Sequence, residues 1–138
     1  MEIKDIDINE AMRYMGYKRN MDPTNIMPHI YACKEELLKS IKPRVIYRIF
    51  DFDSQINIIN TNLHLTGESI KKHLENSQKV VLMAATLGVF VDKLINFYQH
   101  KDMSKAVIVN GLAVAAIESL CDEAEKEIKN EVGYRVMT

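Results

Sequence analysis

A long segment near the carboxyl end of the chain constrains the fold more than any other feature. From near Asp102 or Ser104 to about Lys129, apolar residues recur at helical spacing, which predicts one long helix. Its inner face is rich in small residues: Ala106, Gly111, Ala113, Ala115, Ala116 and Ala124. Because small residues let a second backbone approach closely, we expect this helix to be the buried spine of the protein.

Two helices are predicted near the amino end. Asp7 or Asn9 can cap the first helix, and Gly16 ends it. Its apolar stripe is Ala11, Met12 and Met15. The second helix is predicted to begin at Asp22-Pro23, as N-cap and first helical position, and to reach Ile41 before Lys42-Pro43. Its apolar positions are Ile26, Ile30, Cys33, Leu37 and Leu38.

A change to period two predicts the start of a sheet. The segment from Arg44 to Asp53 alternates, with one face formed by Val45, Tyr47 and Ile49. The segment from Gln55 to Asn60 alternates again, so the two predict an antiparallel hairpin or meander. A helix capped by Thr66 is expected to follow. The continuous apolar run from Lys79 to Ala85 is typical of a strand covered on both faces.

One more helix is predicted between this strand and the long helix. Its apolar stripe is Val91, Leu94, Ile95 and Tyr98, and it runs to His100. The order of elements shows no repeated strand–helix–strand rhythm. We therefore expect one α+β domain over residues 1–138, with a mainly antiparallel sheet flanked by helices and the long helix buried against it.

Charge and composition exclude several classes of function. Lys and Arg number 18 against 19 Asp and Glu, so no basic field favours nucleic acid as a partner. The start of the chain does not resemble a signal peptide, and apolar runs such as Val80 to Ala85 are short for a membrane span. We expect a soluble, cytoplasmic protein without a membrane partner.

The cysteines and histidines do not predict a metal site. Cys33 and Cys121 lie inside helical apolar patterns and are interpreted as reduced core residues. The four histidines lack the spacing of a preformed metal site, and surface or half-buried positions are expected for them: His29, His64, His73 and His100.

Three groups of residues are candidates for chemistry. The turn Thr86, Leu87, Gly88 lies between a strand and a helix, where backbone N–H groups can bind an anion, although such turns are more often purely structural. Glu118, Asp122 and Glu125 share one helix face, which can be acid–base machinery or, more simply, a solvated surface. Arg44 and Arg48 share a strand face and can pair with a carboxylate or a phosphate.

Several segments resemble a known family. These are "LTGESIKKHL", "KVVLMAATLGVFVDKLI" and "DMSKAVIVNGLAVAAIESLCDEAEKEI", which cover Leu65 to Ile128 in order. They are similar to stand-alone relatives of the activation domain of vitamin B12-dependent methionine synthase. The opening "INEAMRYMGY" and "KPRVIYRIF" resemble that group's first helix and first strand. The sharpest resemblance is from Ala84 to Asp92.

The resemblance implies a function. In that family the domain binds S-adenosylmethionine and presents its methyl group to a cobalamin oxidised to the inactive cob(II) state, while a reductase supplies an electron. It thus implies a reactivation module whose partner is a cobalamin-dependent methionine synthase, with cobalamin reached only through that partner. Under this hypothesis, the residues predicted to bind the cofactor are Thr86, Leu87 and Gly88. The family's fold, an antiparallel sheet flanked by helices, agrees with the pattern.

Two departures from the family pattern define the alternatives. The family's cofactor motif is Arg-x-x-x-Gly-Tyr, whereas here Gly133-Tyr134 precedes Arg135. Asn110-Gly111 stands where relatives tend to have an acidic and a small residue. The chain is therefore expected to correspond to the N-terminal two-thirds of the domain, to bind S-adenosylmethionine weakly or not at all, and to form a homo-oligomer.

The competing hypotheses are a homologue that serves only as an interaction or oligomerisation module and a small-molecule enzyme that uses the Thr86 to Gly88 turn.

Overall fold

A computed structural model describes residues 2–51 and 79–132 of the chain. Four helices and two strands are present in these ranges. In chain order they are α1 (Ile8–Tyr14), α2 (Met27–Ser40), β1 (Arg44–Asp51), β2 (Lys79–Thr86), α3 (Val89–Lys101) and α4 (Met103–Val132). The two strands pair in an antiparallel sheet. The α+β class predicted from the sequence is thereby confirmed.

The ends of α1 are set by local side-chain and backbone chemistry. Asp7 is the N-cap, and its Oδ1 accepts a hydrogen bond of 3.1 Å from the Glu10 N–H. At the other end Gly16 has a φ of 91°, its N–H donates to Arg13 O, and the Tyr17 N–H donates to Met12 O. This pair of bonds is a Schellman cap, which a glycine in the left-handed region permits. Of the two predicted caps, Asp7 is confirmed.

Helix α2 begins later than the sequence pattern predicts. Asp22 accepts hydrogen bonds from the N–H and hydroxyl of Thr24, and the Ile26 and Met27 N–H groups donate to Pro23 O. These bonds form a turn, and the helix itself starts at Met27. The prediction of a start at Asp22-Pro23 was therefore wrong by about one turn. Pro28 is the physical reason, because its ring would clash with the carbonyl four residues earlier if the helix already included Thr24.

Helix α4 is the centre of the core, as predicted. It packs against α1, α2 and α3, and its small residues Ala106, Ala113, Ala115 and Ala116 are buried. The larger apolar side chains beside them include Ile108, Val109, Leu112 and Leu120. At Gly111 the contact with α1 is closest, because a Cβ there would lie 2.7 Å from Met15 Cγ and 3.0 Å from Ala11 O. The small residues therefore permit close approach of two helices.

The chain divides into two compact units. The first comprises Met1–Val45 and Ala85–Thr138, and the second comprises Ile46–Ala84. In the first unit, Val45 and Ala85 at the strand ends pack against the helical core. The expectation of a single domain over residues 1–138 stays a prediction.

The strands are confirmed, but one burial expectation was wrong. Of the residues predicted to share a face of β1, Val45 and Tyr47 are half-buried and Ile49 is exposed, because the alternation of burial is offset after Arg48. Strand β2 was expected to be covered on both faces, yet its Met83 is 39% exposed. An apolar run without alternation shows a strand's propensity and does not show what covers it.

Some expected elements lie outside the described residues. These are the strand from Gln55 to Asn60, the hairpin that it would form, and the helix capped by Thr66.

One helix in the described ranges, Met103–Glu131, has the length and apolarity of a membrane span. Its mean hydropathy over the most apolar window is 1.4, and 50% of that window is buried inside the fold. A core helix passes the same test, so this is weak evidence.

Candidate functional site

The turn between β2 and α3 contains the three residues predicted to bind a cofactor. Thr86 ends β2, and its Oγ1 accepts a hydrogen bond of 3.0 Å from the Gly88 N–H. Leu87 is buried in the apolar core, and its carbonyl accepts a hydrogen bond of 2.8 Å from the Lys42 N–H. Gly88 is the N-cap of α3. The turn is thus attached directly to the connection between α2 and β1.

Gly88 is required by geometry. Its φ of 97° and ψ of 161° lie in a region that only glycine adopts without strain. A Cβ at this position would also lie 3.0 Å from Lys42 O and 3.2 Å from Lys42 Cβ. The glycine that the sequence suggested as part of an anion cradle therefore has a sufficient structural explanation in the close approach of two backbone segments.

Three polar groups of the turn are engaged by the fold. The Thr86 hydroxyl, the Leu87 carbonyl and the Gly88 N–H each have a partner within the chain. Leu87 directs its side chain into the core and not toward a ligand. The assignment of Thr86, Leu87 and Gly88 to S-adenosylmethionine stays a prediction, and these contacts do not favour it.

The outer face of α3 carries a feature that the sequence reasoning missed. Phe90 and Phe97 are 47% and 51% exposed, and lysine ammonium groups lie over their rings. The Nζ atoms of Lys93 and Lys42 lie 5.6 and 5.0 Å from the Phe90 centroid, and that of Lys101 lies 5.1 Å from the Phe97 centroid. Phe90, Lys93, Phe97 and Lys101 form what we call the aromatic–lysine stripe.

The sequence contains a signal for this stripe. Phe90 and Phe97 are seven residues apart and lie outside the predicted inner positions Val91, Leu94, Ile95 and Tyr98. Two large aromatic residues at helical spacing beside a complete apolar stripe indicate a second, exposed surface.

A hydrogen bond between the buried Tyr98 and the exposed Glu36 joins α3 to α2. The Tyr98 hydroxyl donates a hydrogen bond of 2.7 Å to Glu36 Oε2. This bond, with the burial of the ring, raises the pKa of Tyr98 to about 12. Burial raises the pKa of the nearby Cys33 thiol, which opposes thiolate formation. The expectation that Cys33 is a core residue is confirmed.

Cys121 is half-buried on α4, and burial raises the pKa of its thiol as well. The neighbouring carboxylates Glu118 and Asp122 act in the same direction. A raised thiol pKa keeps the nucleophilic form scarce near neutral pH. Neither cysteine therefore has the environment of a reactive nucleophile.

The three carboxylates on α4 lie at its surface. Glu118 and Asp122 are exposed, and Glu125 pairs with Lys129 at 3.4 Å. Lys126 pairs with Glu123 at 3.6 Å. In residues 2–51 and 79–132 no group of His, Cys, Asp and Glu side chains has the geometry to hold a metal ion. The arrangement supports the interpretation as a solvated helix face.

The strand arginines and the histidines are also dispersed. Arg44 and Arg48 are exposed, and the Arg48 guanidinium lies 5.5 Å from the Phe50 centroid. On the same strand, Asp51 pairs with Lys79 at 3.2 Å. His29 and His100 are exposed, whereas His64, His73 and Asp53 lie outside the described residues. These residues do not converge on one site within the described part of the chain.

Taken as a class, the described residues form a helical α+β protein with an apolar core, because no polar or charged residue among them is buried. A scan against protein-family models finds no match, and a search of curated proteins finds none either. The resemblance to the activation domain of methionine synthase therefore stays a prediction.

Proposed function

We propose that this protein is an accessory module of cobalamin-dependent methionine synthesis that supports S-adenosylmethionine-dependent reductive methylation of cob(II)alamin on a methionine synthase. The observation that carries the proposal is the segment Ala84 to Asp92, where the resemblance is sharpest. It forms one continuous local structure, consisting of the end of β2, the Thr86–Gly88 turn and the start of α3. The Leu87–Lys42 hydrogen bond anchors it to the segment "KPRVIYRIF", which also resembles the family.

The chemistry of the described residues supports an accessory role in preference to independent catalysis. Burial raises the pKa of both cysteine thiols, and three polar groups of the turn are used by the fold. S-adenosylmethionine would supply the methyl group, and cobalamin would be brought by the partner. The residues of this chain are therefore assigned to binding and positioning of the partner.

A reconstituted reactivation assay tests the proposal. A cobalamin-dependent methionine synthase from the same organism is held in the cob(II)alamin state with S-adenosylmethionine and a one-electron donor. Return of methylcobalamin is followed by its absorbance and by transfer of an isotopically labelled methyl group. We expect the full chain to accelerate this return by about tenfold or more, equivalent to about 1.4 kcal/mol of activation free energy. An unchanged rate of methylcobalamin formation at a saturating concentration of this protein would contradict the proposal.

An interaction or oligomerisation module is the second candidate. The observation that favours it is the number of large apolar side chains exposed in the described residues, with Ile46, Val89 and Met103 at 66%, 58% and 62%. Exposed apolar surface favours association with another chain. Titration calorimetry with S-adenosylmethionine and light scattering over a dilution series separate the two candidates. Micromolar binding corresponds to a binding free energy of about 8 kcal/mol. A homo-oligomer that neither binds S-adenosylmethionine with this affinity nor accelerates reactivation of the synthase would favour the interaction module.

A further inference from the structure

We propose that the aromatic–lysine stripe on α3 is the surface on which an acidic amphipathic helix of the methionine synthase partner docks. The inference rests on the proposed function for the identity of the partner. It deepens that function by stating which face of the chain is used and which chemistry recognises it.

The stripe has the geometry of a helix-packing face. Phe90, Lys93, Phe97 and Lys101 stand at positions i, i+3, i+7 and i+11 of α3, so they follow one side of the helix for about 16 Å. Phe90 and Phe97 expose about half of their surface, and the buried residues Val91 and Tyr98 secure the adjacent side of α3 to the core. A rigid helix therefore presents the stripe.

The charge of the stripe specifies the occupant. Among the residues that the structure describes, Lys42, Lys93 and Lys101 form no ion pair, and each ammonium lies over a phenylalanine ring. A cation held on an aromatic face keeps its charge and its remaining hydrogen-bond donors available. Carboxylates beside apolar side chains complement such a surface, because they pair with the lysines while their apolar neighbours cover the rings.

Nearby acidic residues do not neutralise the stripe. Asp92 lies two positions from Phe90, which places it on a different side of α3. Asp102 Oδ1 accepts a hydrogen bond of 3.3 Å from the Lys105 N–H at the start of α4. Glu36 Oε2 accepts the hydrogen bond from the Tyr98 hydroxyl. Within residues 2–51 and 79–132, no carboxylate is therefore paired with the lysines of the stripe.

A helix fits better than an anionic membrane. The stripe is a single line of side chains at helical spacing, which is the shape that a second helix packs against. The chain has a net charge of −1, which provides no general attraction to anionic lipid. A helix can follow this one side of α3 over the length of the stripe.

The experiment measures binding of the full chain to the purified methionine synthase by biolayer interferometry at several salt concentrations. The test variant is Lys93→Glu with Lys101→Glu. The charge-matched control is Lys4→Glu with Lys18→Glu, two exposed lysines that lie on neither α2 nor α3. A conservative variant, Lys93→Arg with Lys101→Arg, retains the charge. Thermal unfolding establishes that all variants are folded.

We expect the charge reversal to weaken binding by at least about tenfold and to reduce its salt dependence, while the control and arginine variants stay within about threefold of the original chain. Equal binding by the reversal variant, with reactivation intact, would overturn the docking surface and leave the proposed function standing. Absence of both binding and reactivation by the original chain would reject both proposals. Stripe-dependent binding to phosphatidylglycerol vesicles that competes with the synthase would overturn the choice of a protein helix in favour of a membrane.

Discussion

The Tyr98 hydroxyl donates a 2.7 Å hydrogen bond to Glu36 Oε2 and thereby links α3 to α2 across 62 positions of the sequence. The Tyr98 ring is buried, whereas Glu36 is exposed. A buried aromatic side chain thus extends its only polar atom to a carboxylate at the surface. This contact orients α3, and with it the outward-facing aromatic–lysine stripe.

Replacing Tyr98 by phenylalanine removes this bond and keeps the ring. We expect Tyr98→Phe to lower the free energy of unfolding by about 1 kcal/mol near neutral pH, because the acceptor is partly solvated. Urea denaturation of both proteins measures the difference. Glu36→Gln, which keeps an acceptor and removes the charge, should give a smaller loss. Equal stability of Tyr98→Phe and the original chain would show that water replaces the bond at no net cost.

The same residue predicts a pH dependence at alkaline pH. The hydrogen bond to Glu36 and burial raise the pKa of Tyr98 from 10.0 to about 12 in the folded state, so the neutral hydroxyl is favoured there. The associated stability is present below about pH 10 and is lost as the pH rises toward 12. We therefore expect the stability difference between the original chain and Tyr98→Phe to shrink between about pH 9 and about pH 11.5. A difference that stays constant over this range would contradict the shift.

Enlarging Gly111 should destabilise the contact between α1 and α4. In Gly111→Ala the new Cβ would overlap Met15 Cγ at 2.7 Å and approach Ala11 O at 3.0 Å. Because α1 must shift to relieve this contact, we expect a loss of about 1–3 kcal/mol, measured by urea denaturation. Asn110→Ala, at the exposed neighbouring position, is the control and should change stability by less than about 0.5 kcal/mol. Equal changes in the free energy of unfolding for the two substitutions would show that α1 does not contact α4 at Gly111.

Substitution of two glycines that have positive φ can distinguish the cost of backbone strain from the cost of a steric clash. Gly16 has a φ of 91°, and a Cβ added there would meet no atom within 4 Å, whereas Gly88 has a φ of 97° and the Lys42 backbone at 3.0 Å. We expect Gly16→Ala to cost about 1 kcal/mol and Gly88→Ala about 3 kcal/mol, since only the second adds a clash to the strain. Thermal and urea unfolding compare them. The reverse order would show that the turn before α3 relaxes freely.

The sequence allowed either Asp7 or Asn9 to be the N-cap of α1, and substitution of each residue tests which one caps the helix. Asp7 accepts the hydrogen bond from the Glu10 N–H, whereas Asn9 lies inside the helix and is exposed. We expect Asp7→Ala to reduce the free energy of unfolding by about 1 kcal/mol and Asn9→Ala to be nearly neutral. Chemical denaturation of both variants measures the two losses of unfolding free energy. A larger loss for Asn9→Ala would show that Asn9, and not Asp7, is the N-cap.

Local signals account for the features that the sequence predicted well. Asp7 and Gly16 delimit α1 because a capping carboxylate and a left-handed glycine act on their own backbone neighbours. The start of α2 was predicted too early because the Asp22-Pro23 signal describes a turn equally well, and the choice depended on Pro28. Alternation predicted the strand that begins at Arg44 but not the exposure of Ile49, because alternation reports a strand's period and not where burial along the strand is offset.

Residue order alone was enough to predict the class of the fold, the buried long helix with its small-residue face, and the glycines at the end of α1 and before α3. These follow from periodicity and local conformational preference, which act over a few residues. The three-dimensional packing was needed to show the hydrogen bonds between Leu87 and Lys42 and between Tyr98 and Glu36. It was also needed to show that Phe90 and Phe97 are exposed beneath lysine ammonium groups. Each of these depends on which elements pack together, and burial is a property of the packed assembly that residue order does not contain.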